Sequence, residues 1–422
     1  MRFNPFTPEA TRLVLVLVGL PARGKTFIGR KLGRYLKWLG FSARVFNIGD
    51  YRRTRLGTHH RHDFFDPTNV EGNRLRNELA ALALDDLMKW MAAGGQVGIY
   101  DATNTTHQRR QQLHERCTEA GLDVVFIESV CEDPTIIEAN IRETKLTSPD
   151  YEGNDPDEAA RDFRARIDHY TRAYEPLNED DFSYIKLIDV GRVIVMHSIH
   201  GYVPGKLVNF LMNLHLIRRP IWLTRHGESQ FNVQGRIGGD SNLTTQGKAY
   251  AAALAHFVRE HAIRPPIVWT STLKRTIETA KPLQVPSLTW RALDEIDAGT
   301  CDALTYGEIA EKYPEEYNAR RKDKLNYRYP RGESYTDVIL RLEPVILELE
   351  REREPVLVIG HQAVLRMLYA YFMDRRPEDV VNMEIPIHTV IELTPGPYAF
   401  EERRYCLDIG ADSSTWGSAM ED

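Results

Sequence analysis

Leu13-Val14-Leu15-Val16-Leu17-Val18-Gly19-Leu20-Pro21-Ala22-Arg23-Gly24-Lys25-Thr26 decides the architecture of the first half of the chain. The leading residues form an unbroken apolar, valine-rich run, the pattern of a strand buried on both faces. The residues from Gly19 onward fit G-x-x-x-x-G-K-[ST] without exception. Gly19 and Gly24 let the backbone wrap closely and turn its N–H groups toward phosphate oxygens. A helix opening at Lys25 adds the partial positive charge of its N-terminus. In that setting Lys25 reaches the β- and γ-phosphates of a nucleotide, and the Thr26 hydroxyl is a ligand for Mg2+. The bare pattern recurs by chance; a strand before it and a helix after it make the reading specific.

Outward from this motif, apolar runs alternate with helical stretches. A helix is expected over 25–39, stopped by Gly40. Strands are expected at 43–48, 97–101 and 123–128, with a helix over 75–92 and closing strands at 184–190 and 192–197. An amphipathic helix over 204–217 leads to the second half, which repeats the alternation. Strands are expected there at 221–224, 267–270 and 356–359, with a helix capped by Thr244 and another over 338–352. The fold class expected is α/β, two doubly wound parallel-sheet domains over 1–217 and 218–408, followed by a disordered tail over 409–422.

Composition narrows the function. The 422 residues are 42% hydrophobic and 27% charged, ordinary for globular protein, and no window approaches a membrane span. The scattered cysteines Cys117, Cys131, Cys301 and Cys406 form no C-x-x-C pair, which points to a reducing cytoplasm and away from a zinc site. A net charge of −6 argues against a nucleic-acid coat, so phosphate binding must come from local cations.

A P-loop phosphoryl transferase needs a carboxylate on a neighbouring strand end. Asp101, in Ile99-Tyr100-Asp101-Ala102-Thr103-Asn104, is the candidate, as metal holder or as base for an acceptor hydroxyl. Arg52, Arg53, Arg76, Arg109, Arg110, Lys145 and Arg166 supply cations for a phosphorylated acceptor. Cys131 reads as packing, and His59-His60-Arg61-His62 as a solvated loop.

The second phosphate-handling motif is Leu223-Thr224-Arg225-His226-Gly227-Glu228-Ser229, directly after a strand. A neutral histidine there can act as a covalent nucleophile while Arg225 and Arg275 meet the phosphate charge. His361, in Ile359-Gly360-His361-Gln362, ends another strand, and strand ends of one α/β sheet share a crevice. Glu295 is the candidate proton donor.

Beyond these single motifs, GDYRR at 49–53, DATNTT at 101–106, ESVCEDP at 128–134 and SPDY at 148–151 stand in the first half. RIGGDSNLT at 236–244, EIDAG at 295–299, YPRGESY at 329–335 and GHQAVLR at 360–366 stand in the second. With them the chain resembles the bifunctional 6-phosphofructo-2-kinase/fructose-2,6-bisphosphatase family from about 13 to 394. Its second half is similar to that family's version of the histidine phosphatase (phosphoglycerate mutase-like) fold. The resemblance implies ATP and Mg2+ in the first half, with Asn140 to Lys145 near ATP. It implies fructose 6-phosphate contacts at Arg53, Arg76, Thr103, Arg109, Lys145, Arg166 and Tyr170. In the second half it implies His226 as nucleophile, His361 as its partner and Glu295 as acid. Arg225, Asn232, Gly238, Arg275, Tyr306, Arg320, Lys324, Tyr335, Gln362 and Arg366 would hold fructose 2,6-bisphosphate. A homodimer is a further implication. Two other readings stand beside this one: a nucleic-acid end-processing kinase–phosphatase, and a non-catalytic nucleotide and sugar-phosphate sensor. The negative charge disfavours the first, and the intact Lys25, Asp101, His226, His361 and Glu295 disfavour the second.

Overall fold

The computed structural model describes residues 11–142, 148–215, 218–262, 264–396 and 399–409. The chain divides into two compact units, Met1–Leu216 and Ile217–Asp422, each built on one six-stranded sheet.

In the first unit the strands are β1 Leu13–Val18, β2 Ala43–Asn47, β3 Val97–Asp101, β4 Asp123–Val130, β5 Ser183–Ile188 and β6 Val193–His197, in the order β2-β3-β1-β4-β5-β6. β1 lies at the centre with every residue buried, as its unbroken apolar run requires. Val14, Val16 and Val18 pack with Phe46, Tyr100 and Phe126 against Leu84, Leu87 and Met91 of the helix Val70–Ala92. All pairings are parallel except β5–β6, which corrects the expectation of a wholly parallel sheet. The link from β5 to β6 is a tight turn through Asp189 (φ 50°), Val190 (φ 59°) and Gly191 (φ 83°). So short a connection can only reverse direction; a parallel return needs a crossover of a dozen or more residues.

The second unit contains β7 Ile221–Arg225, β8 Ile267–Thr270, β9 Ser287–Thr289, β10 Val356–Gly360, β11 Thr389–Pro395 and β12 Phe400–Cys406, in the order β12-β11-β7-β10-β8-β9. β7, β10, β8 and β9 run parallel, while β11 and β12 add an antiparallel edge. The helix Thr245–His261 begins where Thr244 accepts from Gly247 N–H, and it buries Tyr250, Leu254 and Phe257.

Several boundaries shift. Asn47 ends β2 and caps a helix over Ile48–Leu56, so Ile48 is helical rather than extended. The helix expected from 75 starts at Val70, because Asn69 accepts from Gly72 N–H as its cap. The helix expected over 204–217 spans Tyr202–Met212. The histidine loop is not simply solvated: half-buried His62 lies 3.1 Å from Nε2 of buried His169. Ile409 packs on the second core, and the rest of the expected tail lies outside the described residues.

Candidate active sites

β1 ends beside β4, and the chain turns through Gly19 (φ 132°), Ala22 (φ 59°) and Gly24 (φ 80°) into the helix Lys25–Trp38. A Cβ on Gly19 would meet the Ser129 carbonyl oxygen at 2.5 Å, so only glycine fits that approach. Lys25 is buried, with Nζ donating to the Leu20 carbonyl at 2.5 Å; Thr26 is half-buried in the first helical turn. Asp101 ends β3 level with Leu17 of β1, and is buried. Its Oδ2 accepts from Asn47 Nδ2, whose Oδ1 in turn accepts from Asp50 N–H at 3.1 Å. The Thr103 carbonyl accepts from Gly19 N–H at 2.9 Å, locking the loop after β3 onto the phosphate loop. Asn140 Nδ2 donates to the Ala22 carbonyl at 3.1 Å. Beside Gly24 and Asn140 opens an apolar cleft walled by Phe27, Ile136, Leu187 and Leu211. Cys131 is buried in its lining.

A second cluster in this unit gathers cations on one aromatic ring. Arg166 lies 3.6 Å from the Phe65 ring centroid, Arg52 5.5 Å and Arg76 6.0 Å. Arg76 is also 5.9 Å from the ring of Tyr170. Arg109 donates from Nε to Asn104 Oδ1 at 3.1 Å, and Asn104 Nδ2 donates to the Leu17 carbonyl at 2.7 Å. Among the described residues, no carboxylate lies within ion-pair distance of Arg76, Arg109 or Arg166. Arg166 Nε is buried without a hydrogen-bond partner among the described residues. Burial and the neighbouring Arg166 cation lower the Arg52 pKa. Arg52 is paired with the buried carboxylate of Asp150, which leaves the charges of Arg76 and Arg166 in excess, the condition of an anion site. Arg53 is half-buried and pairs with Asp50 at 2.5 Å and with Asp150 at 3.5 Å, while its neighbour Arg52 is the buried member of the cluster. In a D-Y-R-R run the helical turn alone decides which arginine faces inward, so the sequence did not distinguish them. Lys145 lies outside the described residues.

In the second unit His226 follows β7 and His361 follows β10, with ring centroids 5.1 Å apart. Both are buried. His226 Nδ1 lies 2.8 Å from the Gly227 carbonyl, which can only accept, so Nδ1 carries the proton. Nε2 is therefore a lone pair, and Arg275 Nε donates to it at 3.1 Å. Burial, with Arg275 and Arg225 alongside, holds the His226 pKa well below 6.5, so the ring is neutral. Burial and Arg275 do the same to His361. Arg225 Nη1 donates to the Ile385 carbonyl at 3.1 Å, and its Nε is buried without a hydrogen-bond partner among the described residues. Burial pushes Arg225 down to about 10, still a cation at neutral pH. Glu295 Oε1 accepts from Ile296 N–H at 2.9 Å and from Ala363 N–H at 3.3 Å, which sets it at the start of the helix Gln362–Phe372. Arg341 holds the backbone there, donating to the Asp294 carbonyl at 2.7 Å and the Glu295 carbonyl at 3.3 Å.

The remaining cations and hydroxyls are paired among themselves. Arg320 donates to Tyr306 Oη at 2.7 Å and Arg366 to Tyr335 Oη at 2.9 Å. Burial, then Arg366 and Arg320, push Lys324 down to about 8. Asn232 Oδ1 accepts from Ser229 N–H at 2.9 Å, Gln362 is half-buried in the first helical position, and Gly238 has φ 66°. A Cβ at Gly238 would meet Asp302 Oδ1 at 1.7 Å. Gly227 lies so close to the helix Thr245–His261 that a Cβ would meet the Gly247 carbonyl at 2.4 Å. The sequence passed over Ser271, Arg341, Asn104 and Asn47, whose partners lie far along the chain and leave no local pattern.

Comparison with known proteins gives the same division. Residues 5–218 match the 6-phosphofructo-2-kinase family, and residues 221–408 match the histidine phosphatase superfamily (branch 1). The 6-phosphofructo-2-kinase/fructose-2,6-bisphosphatase of Arabidopsis thaliana is 53% identical over 407 residues, 94% of this chain; the chain spans about half, 54%, of that relative's length. The Gallus gallus protein of the same name is 50% identical, with 94% of this chain and 85% of its own length covered. The human 6-phosphofructo-2-kinase/fructose-2,6-bisphosphatase 3 is 50% identical over 94% of this chain and 77% of its own. With a phosphate loop on one sheet and paired strand-end histidines on the other, the chain belongs to the 6-phosphofructo-2-kinase/fructose-2,6-bisphosphatase family.

Proposed function

We propose that the first unit phosphorylates fructose 6-phosphate at O2 with ATP, and that the second removes that phosphate from fructose 2,6-bisphosphate through His226. The observation that carries the reading is the neutral His226 with its Nε2 lone pair facing Arg275, in a chain that also holds an intact phosphate loop. The deciding experiment is a coupled assay of fructose 2,6-bisphosphate formation from ATP and fructose 6-phosphate, with a parallel assay of its hydrolysis. Phosphorylation of a nucleic-acid end instead, or binding without turnover, would overturn it.

In the kinase reaction the adenine base enters the apolar cleft beside Asn140, and the triphosphate lies on the 19–26 loop. Lys25 neutralises charge on the transferring group. Thr26 and Asp101 offer a hydroxyl and a carboxylate, hard oxygen donors that suit Mg2+. Bound there, Mg2+ would neutralise phosphate charge. Asp101, its Oδ2 held by Asn47, is also the group for the acceptor hydroxyl proton.

The sugar 6-phosphate takes the Phe65 cluster, with Arg52 in the place that the motif comparison gives Arg53, and with Arg76, Thr103, Arg109, Lys145, Arg166 and Tyr170. Hydrogen bonds to a charged partner are worth about 1.5–3 kcal/mol, so Arg76→Ala and Arg166→Ala are each expected to raise the KM for fructose 6-phosphate about tenfold or more, with that for ATP little changed. Arg53→Ala is expected to change neither. Steady-state kinetics on the three variants check this, and an Arg53 effect equal to that of Arg166 would return the contact to Arg53.

In the phosphatase reaction His226 Nε2 attacks phosphorus and the bond to the C2 oxygen breaks. Glu295 gives that oxygen a proton, then takes one from the water that releases phosphate from the histidine. Asn232, Gly238, Tyr306, Arg320, Lys324, Tyr335, Gln362 and Arg366 surround the substrate. Lys324 is a cation below about 8 and loses its charge as pH rises through that value. The profile of kcat/KM reports the free enzyme, so hydrolysis is expected to lose kcat/KM on the alkaline side of about 8. Lys324→Arg, charged throughout, should abolish that limb; a limb that survives the change would remove Lys324 from the site.

A homodimer through β6 is the proposed assembly. β6 is an edge of its sheet and exposes Val193, Val195 and Met196, a hazard unless another strand covers it. Sedimentation of the native chain and of Val195→Lys tests this. The free cysteines favour a cytoplasmic setting, and no described helix is long and apolar enough to cross a membrane.

A further inference from the structure

The turn after β8 and the first turn of the helix Lys274–Ala280 together touch both histidines. Arg275 reaches His226, and Ser271 Oγ lies 2.8 Å from His361 Nε2. Ser271 is fully buried. Its hydroxyl accepts from Leu273 N–H at 3.1 Å and lies 2.8 Å from Thr276 Oγ1. Thr276 Oγ1 lies 2.9 Å from the Leu273 carbonyl and 3.2 Å from that of Ser271.

Two proton orders fit these partners. In one, Thr276 donates to the Leu273 carbonyl, Ser271 to Thr276, and His361 Nε2–H to Ser271; His361 Nδ1 is then a bare lone pair. In the other, Thr276 donates to Ser271 and Ser271 to a bare His361 Nε2; Nδ1 then carries the proton. Nδ1 is buried and has no hydrogen-bond partner among the described residues, so it is the ring's one polar atom left for a substrate. A transferring phosphoryl group presents acceptor oxygens only. The first order sets acceptor against acceptor, and the second makes a hydrogen bond.

We propose that Ser271 is the positioning residue that sets the tautomer of His361, donating to Nε2 so that the ring offers Nδ1–H to the transferring phosphoryl group. The inference rests on reading this unit as a phosphohistidine phosphatase. The alternative, a doubly protonated His361, is opposed by its burial and by the Arg275 charge. Both histidines then work neutral with the proton on Nδ1: His226 exposes Nε2 as nucleophile, and His361 exposes Nδ1–H as donor.

The test is 15N NMR of the full chain labelled at histidine, with inorganic phosphate as probe, together with hydrolysis kinetics. With phosphate bound, His361 is expected to be protonated on Nδ1 and bare at Nε2. Ser271→Ala is expected to lose that single form and to lower the kcat of hydrolysis about tenfold, the worth of one hydrogen bond, with KM within about twofold. Ser271→Thr keeps the hydroxyl and should recover most of the rate. Protonation at Nε2 or at both nitrogens in the phosphate-bound native chain overturns the proposal, even where the variants fail to fold. A native kcat in Ser271→Ala does the same. A native chain that shows Nδ1–H with phosphate but does not hydrolyse the bisphosphate would overturn the assigned reaction and leave the tautomer standing.

Discussion

His226→Ala is expected to turn the chain into a one-way producer of fructose 2,6-bisphosphate. Removing a covalent nucleophile costs on the order of 10³-fold or more in turnover, because the remaining groups only bind and polarise. Kinase turnover should be unaffected, since Lys25 and Asp101 stand on the other sheet. Rapid quenching of the native chain with 2-labelled substrate should trap an acid-labile, base-stable label on His226. The neutral Nε2 predicts that label formation persists below 6.5, with no loss at the ordinary histidine value. Glu295→Gln should slow both appearance and clearance of the label, because one carboxyl serves both steps. Label on His361, or native hydrolysis by His226→Ala, would overturn the chemistry assigned here.

Lys25→Ala is expected to remove the opposite activity. Deleting one preorganised donor to a developing charge typically costs about 10²–10³ in kcat, and the loss should appear there rather than in the KM for fructose 6-phosphate. Bisphosphatase turnover should survive. Initial rates in both directions check the prediction, and an equal fall of both activities in a folded variant would refute it.

What the sequence carried and what it withheld follow from range. The strand at 13–18 and the turn after it were legible because apolar runs and glycines act within a few residues. Neighbouring strand ends were also legible, hence the reading of Asp101, His226 and His361. The edges were less so: a strand at 192–197 was expected but not the reversal of β6, and the antiparallel β11 and β12 rest on pairings that single-strand composition does not record. Arg52 and Arg53 differ only by a rotation of about 100° on one helix, which Asn47 sets from outside the motif. Ser271 and Arg341 act through partners 90 and 46 residues away, and no periodicity spans such distances.

The contact of Gly227 with Gly247 bears on how the phosphatase unit can vary. Each would place a Cβ against main chain, at 2.4 Å and 2.1 Å from a carbonyl oxygen, so no rotamer change could absorb an added methyl. The distance from the nucleophile to the first turn of the helix Thr245–His261 is therefore a gauge cut in backbone, without adjustable parts. A methyl inserted at Gly247 would be felt as a displacement of the reacting nitrogen, although Gly247 lies far from the substrate in chemical terms. Reaction rates are steep in such displacements, at around a hundredfold for an ångström. Variants at that glycine should thus resemble lesions of the chemistry while binding substrate normally.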